Sequence, residues 1–187
     1  MLKDIDEADK KIVYLLSENP ELSQVELSDR LKISQPAVSA RLHKLREMGV
    51  LTYSIGTDIK KTQLFLAKID LVSTSTEQVI GLFEKCPLYL NSFLTSGKYN
   101  LMVLLIGENI RSIMSCVDSH LRTNPLIKDM EFNLIMTPVK DFVVPMKPIL
   151  DKRKTTPCQT DCGSCTLYLN DRCLGCPASI HYKGNLL

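Results

Sequence analysis

The chain contains no tryptophan, no low-complexity tract and no apolar run long enough to span a bilayer. A membrane is therefore not an expected partner. It also lacks a Ser/His/Asp set, a phosphate-cradling glycine loop and a pair of acids spaced for general acid–base work, so an enzyme is not expected. The first residues, Met-Leu-Lys-Asp-Ile-Asp-Glu-Ala-Asp-Lys-Lys, are charged throughout, unlike a secretory signal, and the protein is expected to be cytoplasmic. In that reducing compartment clustered cysteines point to metal or redox chemistry rather than to a disulfide scaffold.

What is present is unevenly distributed. The net charge is only +2, yet residues 1–29 hold three Lys/Arg against eight Asp/Glu, and residues 30–61 hold seven against two. A basic block of this kind suits one face meant for a polyanion. With 187 residues there is room for one medium domain or two small ones plus an appendage.

The N-terminal pattern predicts three helices. Ala8, Ile12, Leu15 and Leu16 form a helical stripe ended by Asn19-Pro20. Ser23 and Glu26 have capping-box spacing for a second, short helix. Lys32-Ile33 makes the turn, and Ser34 caps a third helix with Pro36 in its permissive first turn. Gly49 stops that helix, and residues 50–55 read as a short extended segment. Helix, helix, turn, helix, strand is a winged helix-turn-helix layout, whose third helix enters the major groove of duplex DNA. The candidate DNA-binding residues are Ser34, Gln35, Pro36, Ser39, Ala40, Arg41, His43 and Lys44. Gln35 suits adenine, Ser39 a base or phosphate, and Arg41 a phosphate; His43 is equally compatible with a solvated position.

Beyond residue 62 strands and helices alternate. Strands are expected over residues 64–72, 88–95, 99–105 and 129–139, and helices over residues 76–85 and 108–121. That βαββαβ order is the ferredoxin-like arrangement, with both helices on one face of the sheet. Its bare face is expected to be covered by a second copy of the chain. Cys86 and Cys116 fall at core-like positions and read as packing residues.

Five of the seven cysteines, Cys158, Cys162, Cys165, Cys173 and Cys176, lie within nineteen residues near the C-terminus. The segment has too few large apolar residues for a core of its own, so metal binding would supply its folding free energy. Cys162-x-x-Cys165 and Cys173-x-x-Cys176 are the paired knuckles of a tetrahedral zinc site, which leaves Cys158 surplus. Alternatively, Cys158, Cys162, Cys165 and Cys176 hold a 4Fe–4S cluster with Cys173 in reserve, Cys176-Pro177 echoing bacterial ferredoxins. The fifth cysteine favours the cluster. Gly163 and Gly175 would let main-chain N–H groups approach the sulfurs, and His181 reads as incidental. Residues 141–157, with Lys152-Arg153-Lys154, read as a linker or arm.

Over about residues 4–140 the sequence resembles the Lrp/AsnC, or feast/famine, family of regulators. The resemblance is carried by Ile5-Asp6-Glu7-Ala8-Asp9-Lys10-Lys11-Ile12, by residues 34–45 with Glu47-Met48-Gly49-Val50-Leu51, and by Thr95-Ser96-Gly97-Lys98-Tyr99-Asn100-Leu101. It implies a DNA-binding domain and a sensor domain that forms a homodimer or higher homo-oligomer. It also implies an amino-acid effector near Gly97, Tyr99 and Asn100. The family's turn usually reads Gly-x-Tyr/Phe-Asp, and this chain has Asn100 in place of the carboxylate. Most members also end near residue 145, without cysteines beyond it.

The expected fold class is therefore α+β, in four parts: a winged helix-turn-helix domain over residues 1–55, a linker over 56–62, a ferredoxin-like sensor and oligomerisation domain over 63–145, and a Cys-rich tail over 146–187. The leading function is a transcription regulator in which the signal has moved from a small molecule to the tail cluster. The alternatives are a regulator with structural zinc and an amino-acid effector, and a cluster-carrying electron-transfer protein.

Overall fold

The computed structural model describes residues 4–146 and 148–185. It divides into two units, one ending at Ser54 and one beginning at Ile55.

In the first unit the helices are α1 (Glu7–Glu18), α2 (Gln24–Leu31) and α3 (Gln35–Glu47). Each begins where a side chain satisfies orphan N–H groups. Asp6 and Asp9 close a capping box on α1, Ser23 and Glu26 close another on α2, and Ser34 accepts from the Ala37 N–H to cap α3. Lys32 adopts φ 57° between α2 and α3, making the tight turn of the motif. Ile12, Leu16, Leu22, Leu27, Val38, Leu42 and Leu45 form the core. Residues 50–55, expected as a short extended segment, belong to no β-ladder. Tyr53 lies under the Arg46 guanidinium, 5.3 Å from its ring centre.

The second unit is built on β2 (Phe65–Ser73), α5 (Thr76–Gly81), β3 (Tyr89–Leu94), β4 (Leu101–Gly107), α6 (Ile110–Val117) and β5 (Ile127–Ile135), preceded by β1 (Gly56–Asp58) and α4 (Ile59–Thr62). The sheet runs β3-β4-β2-β5, antiparallel throughout, the ferredoxin-like order. Ala67, Ile69 and Leu71 of β2 and Leu101, Val103 and Leu105 of β4 meet Val79, Phe83, Ile113, Val117 and Leu121 from the helical layer. Both helices are shorter than their apolar stripes predict. After Gly81 the chain tightens into turns, with Leu82 N–H donating to Val79 and Phe83 N–H to Ile80. After Val117 it widens into one π turn over Asp118–Arg122.

Two expectations are corrected. Residues 56–62, expected as a linker, are folded: β1 pairs with β6 (Val143–Pro145), inside the stretch read as an arm. Gly56 is required there, since a Cβ would sit 2.6 Å from Val144 O. Nor is the second sheet face bare. Ile59 and Val144 pack on Leu66 and Ile106, so α4 and the β1–β6 ribbon cover part of it.

The segment after residue 150 holds little regular structure, a 3-10 turn at Cys162–Ser164 and the single-turn helix α7 (Thr166–Leu169), and it belongs to the second unit. No helix among the described residues is long and apolar enough to cross a membrane.

Candidate metal centre and nucleic-acid interface

In α3, Val38, Leu42 and Leu45 point into the core, which turns Gln35, Pro36, Ser39, Ala40 and His43 outward, all exposed. Ser34 is exposed too, with its hydroxyl committed to the cap. His43 pairs with Glu47 one turn on, at 3.4 Å. Arg41 and Lys44 are placed differently. Arg41 Nη1 donates to Asp6 and to Asp9 Oδ1 at 2.7 Å, and Lys44 Nζ donates to Asp9 Oδ2 at 2.8 Å. Asp9 is 0 % exposed. Burial pushes its carboxyl up, but hydrogen bonds from Lys44, Arg41 and the Asp6 N–H more than offset this and hold it below the usual carboxylate range. The two cations therefore tie α3 to α1 inside the unit.

In the second unit Gly97 takes φ +112° in the β3–β4 turn. Tyr99 donates its hydroxyl to Glu131 at 3.0 Å. The Asn100 amide is engaged at both ends: its Oδ1 accepts from Ser73 N–H at 2.8 Å and its Nδ2 donates to Ser73 O at 2.7 Å. Only an amide can do both, and a carboxylate would face Ser73 O without a proton. The departure from the family's turn thus has a structural use, closing the β3–β4 turn onto β2.

The cysteines meet at one cavity of about 90 Å³, lined by all five of the tail together with Cys86 and Cys116. Within the tail, Gly175 N–H donates to Cys173 Sγ and Cys176 N–H to Cys162 Sγ, both at 3.4 Å. Such N–H···S bonds stabilise thiolate ligands. Gly175 makes this possible with φ +85°, a conformation costly for any other residue here. The Gly163 N–H is directed instead to Asp161 Oδ1, at 2.9 Å. Cys158, on the same cavity, meets Thr156 Oγ1 at 3.0 Å and Thr160 Oγ1 at 3.5 Å. A hydrogen bond from His120 holds its thiol down at about 6.

The cavity's other wall is α6 and the turn after it. Ser112, Cys116 and His120 recur every four residues and all line the cavity, while Ile113, Val117 and Leu121 face the core. Ser112 Oγ accepts the Leu174 N–H at 3.0 Å and lies 3.6 Å from Cys173 Sγ. Glu108 accepts from the Tyr182 hydroxyl at 2.7 Å and from the Asn185 N–H at 2.9 Å. Sequence reasoning missed this wall. The four-residue stripe Ser112-Cys116-His120 was its one visible signal, hidden under the stronger apolar stripe. His181 stacks edge-on against Tyr168 with ring centres 5.9 Å apart and is not among the cavity's lining residues.

Comparison with known proteins follows the same division. Residues 5–52 match the winged helix-turn-helix DNA-binding family. The HTH-type transcriptional regulator LrpA of Pyrococcus horikoshii is 31 % identical over 118 residues, covering 59 % of this chain and 84 % of that protein. The structure of Escherichia coli AsnC superposes with a TM-score of 0.63 at 18 % identity, covering 73 % of this chain and 95 % of the other. A Neisseria meningitidis transcriptional regulator solved as a complex with L-Met gives a TM-score of 0.63 at 22 % identity, over 73 % and 92 % of the two chains.

Proposed function

This chain belongs to the Lrp/AsnC family of DNA-binding transcriptional regulators, and we propose that it couples DNA binding to a 4Fe–4S cluster held by its C-terminal cysteines. It is not an enzyme. The observation that carries the proposal is the ring of thiols around one cavity, with two of them already receiving main-chain N–H groups.

The donor set fits a cluster better than a single ion. Zinc draws its ligands to one point, with Zn–S distances of about 2.3 Å. The thiols surround a void instead, which suits an inorganic core. Cys162, Cys165, Cys173 and Cys176 would hold it, in place of the expected set with Cys158, whose sulfur is engaged by His120, Thr156 and Thr160. The fifth cysteine then no longer separates a cluster from zinc, and the void between the thiols carries the choice. Such a cluster, when bound, supplies one-electron redox chemistry and sensitivity to oxygen.

The chain's own contacts transmit the state of the site. Cys173 lies against Ser112, and Tyr182 and Asn185 hold Glu108, so the tail is fastened to the start of α6 on the sensor domain. Without the metal that draws them together the knuckle cysteines have no bond in common, and burial keeps Cys162 and Cys176 as neutral thiols, which loosens the knuckles and that fastening. In the DNA-binding unit, Gln35, Pro36, Ser39, Ala40 and His43 present the base-reading face, while Arg41 and Lys44 hold α3 in position. The uncovered remainder of the sheet, around Phe93 and Met102 on β3 and β4, is the surface for a homodimer or larger assembly.

The test is composition. Protein purified without air is expected to be brown, with about four iron and four sulfide per chain. Stoichiometric zinc without iron in protein never exposed to air would overturn the cluster reading and leave the DNA-binding assignment standing.

A further inference from the structure

Cys86 and Cys116 are not accounted for by the tail site. Cys86 ends the turns that follow α5, just before Pro87, and Cys116 lies on α6, thirty residues further along the chain. Their sulfurs are 3.9 Å apart, in van der Waals contact. Both pack against the domain core on one side, as expected of small apolar residues. On the other side both line the cysteine cavity. Cys86 also lines a neighbouring cavity of about 230 Å³, with Lys85, Pro87 and His120. A pair kept only for packing needs no such access. Among the described residues no third ligand is drawn close enough to make the pair part of a single-ion site.

We propose that Cys86 and Cys116 form a second redox site, a dithiol that is converted to a disulfide by a low-molecular-weight disulfide entering through the cavities. A disulfide needs its sulfurs at about 2.05 Å, so each has to close only part of the remaining gap, by side-chain rotation. The exchange takes two steps. The Cys86 thiolate, reached from both cavities, attacks one sulfur of the incoming disulfide. That S–S bond breaks, one small thiolate leaves and a mixed disulfide forms. The Cys116 thiolate then attacks the Cys86 sulfur and the second small thiolate leaves. Two protein thiols are oxidised, one small disulfide is reduced, and the two protons pass to the two departing thiolates. The product ties the end of the α5 turns to α6, the helix that carries the tail's anchor at Ser112. With the first cavity filled by a cluster Cys86 is still reached from the second, so the pair reacts whether or not iron is bound.

The experiment uses the full chain, prepared without air and incubated with oxidised glutathione. Remaining thiols are then alkylated and the protein digested for peptide mass mapping. The expected result is a peptide joining Cys86 to Cys116 in most chains, absent before treatment. Cys116→Ala should stop at a glutathione adduct on Cys86, and Cys86→Ala should leave Cys116 as free thiol. Recovery of both Cys86 and Cys116 as alkylated thiols, in chains whose other cysteines have oxidised, overturns the proposal. So does a map in which Cys86 joins only to tail cysteines. The wild-type map decides the matter even if neither variant folds. An iron-free wild-type protein that still forms the 86–116 bond would separate this site's standing from that of the cluster.

Discussion

Cys162→Ser protein prepared without air is expected to lose its cluster iron, falling from about four iron per chain to fewer than one. Cys162 is the buried one of the five tail cysteines, 6 % exposed, and its sulfur accepts the N–H of Cys176. It therefore links the first knuckle to the second, and its removal takes away one ligand and the contact that sets the other knuckle's position. A serine oxygen is a harder donor on a shorter bond and cannot restore either. Cys158→Ser is the matched control. That sulfur is bonded to Thr156 and to His120, not to the knuckles, so its loss should leave iron content near the wild-type value. Iron and acid-labile sulfide assays check both variants. Full iron in Cys162→Ser, or none in Cys158→Ser, would show that the ligand set is drawn differently.

Asp9→Ala is expected to destabilise the DNA-binding unit by about 3 kcal/mol, the lower end of what breaking a buried ion network costs. The lower end applies because Arg41 and Lys44 are only half-buried and regain water once Asp9 is gone. For so small a unit this corresponds to a fall in Tm on the order of 10 °C or more. The same carboxylate sets an acid limit. Its folded-state pKa is depressed, so its contribution is complete above the ordinary carboxylate range and is lost as pH falls below it. Thermal unfolding of the wild type followed by far-UV circular dichroism should show Tm dropping below about pH 4. In Asp9→Ala that drop should be smaller. An unchanged Tm at neutral pH would mean that the network does not hold α1 to α3.

Much of this molecule is legible in its sequence, for physical reasons that differ from place to place. The three N-terminal helices follow from caps that act within four residues, Ser23 with Glu26 and Ser34 with Ala37. The βαββαβ order follows from alternating patterns, each strong within its own segment. The pairing of Gly56 with Pro145 has no local signal, because it joins residues far apart in the chain. The same holds for Arg41 and Lys44. Their places on the helix suggest a phosphate, and only the fold brings Asp6 and Asp9 against them. The tail's cysteine spacing announces a centre, but its wall on α6 is non-local. Cys86 and Cys116 look like packing residues along the chain, and packing against the core is half of what they do.

The central claim, that the cysteine centre governs DNA binding, is tested most directly by one comparison. The affinity of the same anaerobic preparation for a duplex containing its preferred site is measured by fluorescence anisotropy, before and after the cluster is removed by chelation, at fixed salt. Coupling between two sites in one protein is commonly 1–3 kcal/mol, so the predicted result is a change in Kd of about ten-fold or more. Equal affinities for the loaded and stripped forms, with the oligomer intact in both, would contradict it.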